Sequence, residues 1–237
     1  MTRRPFLLRA LPFAVVASAT VGWGHGGPVG MAHAQGLSAG DALSGLRAAL
    51  ATGAKVAVQQ LGQAGGFSGN PKVRIGLPGV LADAEPLLRG MGQGPKLDAL
   101  LMAMNQAAEQ AVPLATQLVA QAVNRLTVAD ALGILRGGDT AVTDYFAQHT
   151  REPLTVEFLP TVRRTTDRTR VAEKYQSVAG KAARLGLIKA QDADLAGYVT
   201  GRALDGLCAV IGDEERKLRQ NPAGAGSAVL RRVFGAL

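Results

Sequence analysis

Residues 134–146 read ILRGGDTAVTDYF, two glycines and an aspartate set between apolar runs. A loop of this composition cradles phosphate when it joins a strand to a helix and has a lysine within reach. Here the residues before Gly137 continue a helical pattern that starts near Thr127, and no such lysine is present. The stretch therefore reads as a corner between two helices. Arg136-Gly137-Gly138 ends the first, where a glycine can take the left-handed conformation, and Asp139 caps the second with its carboxylate. This reading directs the fold away from a nucleotide-binding α/β sheet and towards an all-α architecture.

Working outward, Thr127 with Asp130 three residues later forms a capping box for a short helix through Leu135. Upstream, Leu97, Leu100, Leu101, Met104, Ala108, Ala111, Ala115, Leu118, Ala122 and Leu126 recur at three and four, which predicts a long helix over 96–126. Pro113 lies inside it and removes a backbone donor, so a kink or a split is expected there. A short helix over 78–91 precedes it. The first helix starts near Leu37, with Ser38 and Asp41 at its head and Gly62, Gly65 and Gly66 at its end. Between these, GGFSGNPKVRIGLPGV breaks the periodicity and reads as an extended strap around residues 67–78, with Phe67 and Ile75 turned inward, a small two-stranded hairpin being the alternative. Downstream, 140–184 is mostly helical despite Pro153 and Pro160, a long helix spans 192–218, and a short one ends the chain over 227–234. The expected fold is an all-α, single-domain bundle of about seven or eight helices with one strap.

The N-terminus carries a different message. MTRRPFLLRALPFAVVASATVGW leads to Ala32-His33-Ala34, a charged start followed by an apolar run and a small-x-small cleavage site. TRRPFLL is twin-arginine-like, so residues 1–34 read as a cleavable export signal and 35–237 as the mature domain. The expected location is periplasmic or secreted, with no transmembrane segment in the mature chain. Cleavage removes His25, His33 and Trp23, leaving His149 as the one histidine beside a single cysteine, Cys208. Cys208 lies in ALDGLCAVIG and reads as a small buried hydrophobe.

This inventory excludes much chemistry. A zinc site of His and Cys cannot be assembled, and no serine lies in a Gly-x-Ser-x-Gly elbow. No metal and no cofactor is therefore expected. His149 reads as a partner of helix-end carbonyls or water. Asp213-Glu214-Glu215 reads as a solvated acidic run, because successive side chains on a helix point about 100° apart, and Glu215 has i, i+4 spacing to Arg219. The remaining polar candidates are Arg74, Arg136, Asp139, Asp144 and Tyr145, which a strap crossing the corner would bring together as a ligand pocket or a structural salt bridge.

The formal charge of +8 falls to +5 without Arg3, Arg4 and Arg9. That surplus resides in residues 151–189, with nine basic side chains against four acids. Nucleic acid is not an expected partner, since aromatic platforms are scarce around these charges. A solvated basic face with weak attraction to anionic envelope surfaces is.

GNPKVRIGLP (69–78), ADALGILRGGDTAVTDYF (129–146), FLPTV (158–162) and ALDGLCAVIGDEERKLRQNP (203–222) together resemble the family called domain of unknown function 4197. The resemblance implies an exported bacterial α-helical protein without an established activity, and it supplies no catalytic residues. The functional expectation is a non-catalytic protein that binds an apolar or amphipathic small molecule, or an envelope partner. An enzyme whose polar pocket sets carboxylates, Asp139 or Asp144, with Tyr145, Arg74 and Arg136, and an envelope scaffold using the basic face, are the alternatives.

Overall fold

Helix α1 (Ala39–Leu61) begins where Ser38, in extended conformation, accepts the amide of Asp41 at 3.0 Å. Its buried stripe of Ala42, Leu46, Ala49, Leu50, Ala54, Ala57 and Leu61 keeps helical spacing and faces the centre of the molecule. The computed structural model describes residues 38–168 and 193–235, together with 172, 173, 175, 176 and 184. The expected signal, and most of the stretch assigned to the end of the 140–184 helix with Arg170, Lys174, Lys181 and Lys189, lie outside the described residues.

The short helix expected over 78–91 is two, α2 (Gly79–Asp83) and α3 (Glu85–Gly90), with Pro86 in the first turn of α3. Pro113 has the effect its chemistry predicts. Helix α4 (Gly94–Ala111) passes into one 3-10 turn (Val112–Leu114) and resumes as α5 (Ala115–Arg125). The Thr127–Asp130 capping box is present in both directions and starts α6 (Val128–Leu135). Then follow α7 (Ala141–Thr166), α8 (Leu195–Gln220) and, after a 3-10 turn, α9 (Ala228–Phe234), whose Ser227 cap accepts the Leu230 amide. There is no strand among the described residues, and the fold is all-α. No single described helix is long and apolar enough to cross a membrane.

Helix α7 is the inner post. Val142, Phe146, Thr150, Leu154, Phe158, Val162 and Thr166 are buried at every fourth position, and α7 packs on α8, α4 and α5. Pro153 and Pro160 both lie inside it. Helix α1 packs on α8, α5, α6 and α9.

Residues 62–78 form the strap, but only its second half is extended. Successive turns carry the chain from Gly65 to Arg74, with the Gly69 amide on the Gly65 carbonyl and the Arg74 amide on that of Asn70, both at 2.9 Å. Alternation then sets in, with Val73, Ile75 and Leu77 buried and Arg74 and Gly76 exposed. Two buried polar side chains of α4, one turn apart, serve the strap's backbone. Asn105 accepts the Ile75 amide at 2.9 Å and donates to the Ile75 carbonyl at 2.9 Å, as a neighbouring strand would. Glu109 accepts the amides of Phe67 and Ser68 at 3.1 and 3.4 Å.

From the other side, Tyr198 of α8 donates to the Gly76 carbonyl at 3.2 Å, and Lys72 pairs with Asp213. Phe67 lies against Gly206 so closely that a Cβ there would sit 2.8 Å from its ring. The strap thus closes the seam between α4 and α8. Replacing Asn105 by alanine leaves two buried backbone groups of Ile75 unpaired, a loss of about 3 kcal/mol. Asn105→Ala should accordingly lower the urea midpoint and speed tryptic cleavage after the exposed Lys72 and Arg74, and unchanged cleavage would show that the amide does not hold the strap.

Candidate functional site

At the corner of residues 134–146, α6 ends at Leu135 and its C-cap, Arg136, stays in the right-handed region. Neither Gly137 nor Gly138 has a positive φ. Glycine is required at 137 for space instead, because a Cβ would lie 2.6 Å from that of Ala141. Asp139 does not cap α7 either. It is exposed, and the N-cap is Thr140, whose side chain makes no capping bond.

The cap comes from the far end of the chain. The Glu215 carboxylate accepts the Val142 amide at 3.0 Å, the Thr143 amide at 2.9 Å and the Thr143 hydroxyl at 2.9 Å. These amides belong to a first helical turn and have no intrahelical acceptor, so an anion there is favoured by both hydrogen bonding and the helix dipole. Arg219 donates to the same carboxylate at 2.9 and 3.1 Å and lies over the Phe234 ring at 5.5 Å. Glu215 is 3% exposed, which corrects the expectation of a solvated acidic triplet. The two acids before it do face outward, Asp213 to Lys72 and Arg216, and Glu214 to Lys217. The sequence held a signal for this: Glu215 falls four residues after Ile211 and eight after Leu207, in the buried stripe of α8.

The expected cluster of Arg74, Arg136, Asp139, Asp144 and Tyr145 is not assembled. Arg74 is turned out by the alternation that turns Val73 and Ile75 in, and its charge acts on Asp98. Asp144 is exposed and accepts from the Thr140 hydroxyl at 3.3 Å. Arg136 is exposed and makes no ion pair among the described residues.

Tyr145 alone enters a polar group. Its hydroxyl donates to Asp130 at 3.3 Å, and its ring stacks on that of His149 with centroids 4.1 Å apart. Hydrogen bonds from the Thr127 hydroxyl and then its amide hold Asp130 below the usual carboxylate range, while burial, then the charge of Asp130, pushes the Tyr145 phenol up. His149 lies well inside α7 and not at its end. Cys208 is partly buried, and desolvation raises its thiol to about 11, so it is protonated at neutral pH. Among the described residues no three His, Cys, Asp or Glu converge on one point.

A groove of about 500 Å³ runs between α1 and α5, walled by Ala51, Ala54 and Val58 on one side and Val119, Ala120 and Val123 on the other. Its origin is mechanical. At one end Arg47 of α1 donates to the carbonyls of Asn124 and Leu126, at 3.1 and 2.8 Å, where α5 runs out of intrahelical donors. At the other, Gly62 lies against Pro113, 3.2 Å from where a Cβ would stand. The two helices are fastened at both ends, and the short side chains between do not fill the gap. Lys55 is the charged group of the lining, exposed and without an ion pair among the described residues.

These features define an all-α helical protein with a buried-carboxylate corner, a pinned strap and an apolar groove between α1 and α5. The chain belongs to the family described as proteins of unknown function DUF4197, whose profile matches residues 36–235. No match was found among curated proteins or among solved structures.

Removing the Glu215 carboxylate leaves two helix-start amides unpaired and Arg219 without its partner, a cost of about 3 kcal/mol. In urea denaturation Glu215→Ala should lose that much, whereas Asp139→Ala should change stability by less than about 0.5 kcal/mol. The reverse order would return the cap to Asp139.

Proposed function

We propose that the protein is a non-catalytic binding protein of the bacterial envelope, which holds the apolar chain of a single-chain anionic amphiphile in the α1/α5 groove and its headgroup at Lys55. The α1/α5 groove carries this reading. Its volume lies in the range of small-ligand pockets, its walls are mainly alanine and valine with Gln59, Thr116 and Asn124 among them, and its one charged lining group is a cation on the lip. An alkyl chain gains from leaving water along such walls, about 0.8 kcal/mol per buried methylene. An anion at the lip of a partly exposed groove adds about 1 kcal/mol or less. Chain length would therefore dominate affinity, and headgroup charge would set orientation.

Export supports the reading by placing the protein among amphiphiles. The twin-arginine-like start, the apolar run after it and the small-x-small site at Ala32 to Ala34 are the basis for export and periplasmic residence. The family match from residue 36 leaves that leader outside the matched region. Within the described part of the basic segment, Arg163, Arg164 and Arg168 are exposed, which suits weak attraction to anionic envelope surfaces.

Titration with dansyl-undecanoic acid, a fluorescent single-chain carboxylate, tests the proposal. Binding should saturate and weaken at least tenfold in Ala120→Trp, where an indole enters the groove from an exposed position. Lys55→Glu should weaken the carboxylate probe more than an alkyl alcohol of equal length. Non-saturable binding, binding indifferent to Ala120→Trp, or a groove closed by a second copy of the chain in native mass spectrometry would overturn it.

A further inference from the structure

The opposite flank of α5 carries a second cavity, of about 170 Å³, between α5 and α7. Gln121 and Arg125 line it from α5, and Tyr145, His149 and Pro153 from α7. Its chemistry is unlike that of the apolar groove. Arg125 is the last residue of α5, exposed, and makes no ion pair or hydrogen bond with another described residue. Asp130, the acid that meets the Tyr145 hydroxyl, is already engaged by the Thr127 amide at 2.9 Å, the Thr127 hydroxyl at 2.7 Å and the Tyr145 hydroxyl at 3.3 Å. No acid is among the lining residues.

His149 is set with equal definition. Its Nδ1 is 2.8 Å from the Tyr145 carbonyl oxygen, which can only accept, so Nδ1 carries the hydrogen. Nε2 is left to accept from a ligand, or to donate when the ring is protonated. Stacking on Tyr145 fixes the ring plane. Four residues on, Pro153 has no amide hydrogen, so the His149 carbonyl lacks its usual i+4 helical donor.

We propose that this α5/α7 cavity is a binding site for a small organic carboxylate, independent of the α1/α5 groove. The Arg125 guanidinium supplies the planar fork that suits a carboxylate, Gln121 supplies an amide one turn away on the same helix face, and His149 Nε2, on the other side, accepts from a hydroxyl of the same ligand. A volume of about 170 Å³ admits a ligand on the order of ten heavy atoms.

The His149 Hε1 resonance of the full chain, assigned by its disappearance in His149→Gln, reports on the site directly. At fixed pH and ionic strength, malate should shift it saturably, and succinate, which lacks the hydroxyl that would donate to Nε2, should do so more weakly. Arg125→Gln, at an exposed position, should keep the melting temperature and weaken the shift at least tenfold, while Gln121→Ala should weaken it less. Ala120→Trp, which blocks the α1/α5 groove, should leave the shift intact, so failure of one site is distinguishable from failure of the other. A non-saturable response, a response to inorganic phosphate alone, or full affinity in Arg125→Gln would overturn the proposal.

Discussion

One buried carboxylate fixes the arrangement on which both cavities depend. Glu215 reaches from α8 to the first turn of α7, and it holds three donors of Val142 and Thr143 while Arg219 neutralises it. An ion buried this deeply is favourable only when its lone pairs are taken up, and here they are. The consequence is positional. Helix α7 is locked at its start against α8, so its buried stripe must run down the α4 side and its polar residues, Tyr145 and His149, must face α5. Arg219 extends the same connection to α9 through the Phe234 ring.

The strap repeats the device. Glu109 accepts two strap amides, and Asn105 stands in for a strand beside Ile75. Both are polar side chains in apolar stripes, and each satisfies backbone that would otherwise be buried without partners. With the α4/α8 seam closed by the strap and the α7/α8 contact set by Glu215, α5 is held by its ends. Pro113 breaks it from α4, and Arg47 donates to the Asn124 and Leu126 carbonyls at its end. A helix fastened in that way can leave a gap on each flank, apolar towards α1 and polar towards α7. The proposed functions follow from that separation of chemistry and not from a catalytic constellation.

Local chemistry was legible in the sequence. Ser38 and Asp41, the Pro113 break, the Thr127–Asp130 box and the inward Phe67 and Ile75 all act within a few residues, and the structure places them as their patterns imply. The match to the family agrees with the motifs at 69–78, 129–146, 158–162 and 203–222. Long-range polar pairing was not legible. Capping rules select the nearest acid, Asp139, whereas the actual cap lies more than seventy positions away. Arg74 is sent outward, away from the corner, by the alternation that buries Val73 and Ile75. The polar residues that matter most for the fold, Asn105, Glu109 and Glu215, sit in buried helical stripes. A polar residue in such a stripe is itself a sign of a distant backbone partner.

Amide hydrogen exchange at Val142 and Thr143 tests the Glu215 anchor most directly. Amides in the first turn of a helix lack intrahelical acceptors and ordinarily exchange at rates close to those of open chain. With Glu215 bound to them, both should exchange only with the slowest, globally protected amides of α7 and α8. Rapid exchange at these two positions, in a protein whose helix interiors remain protected, would contradict the account.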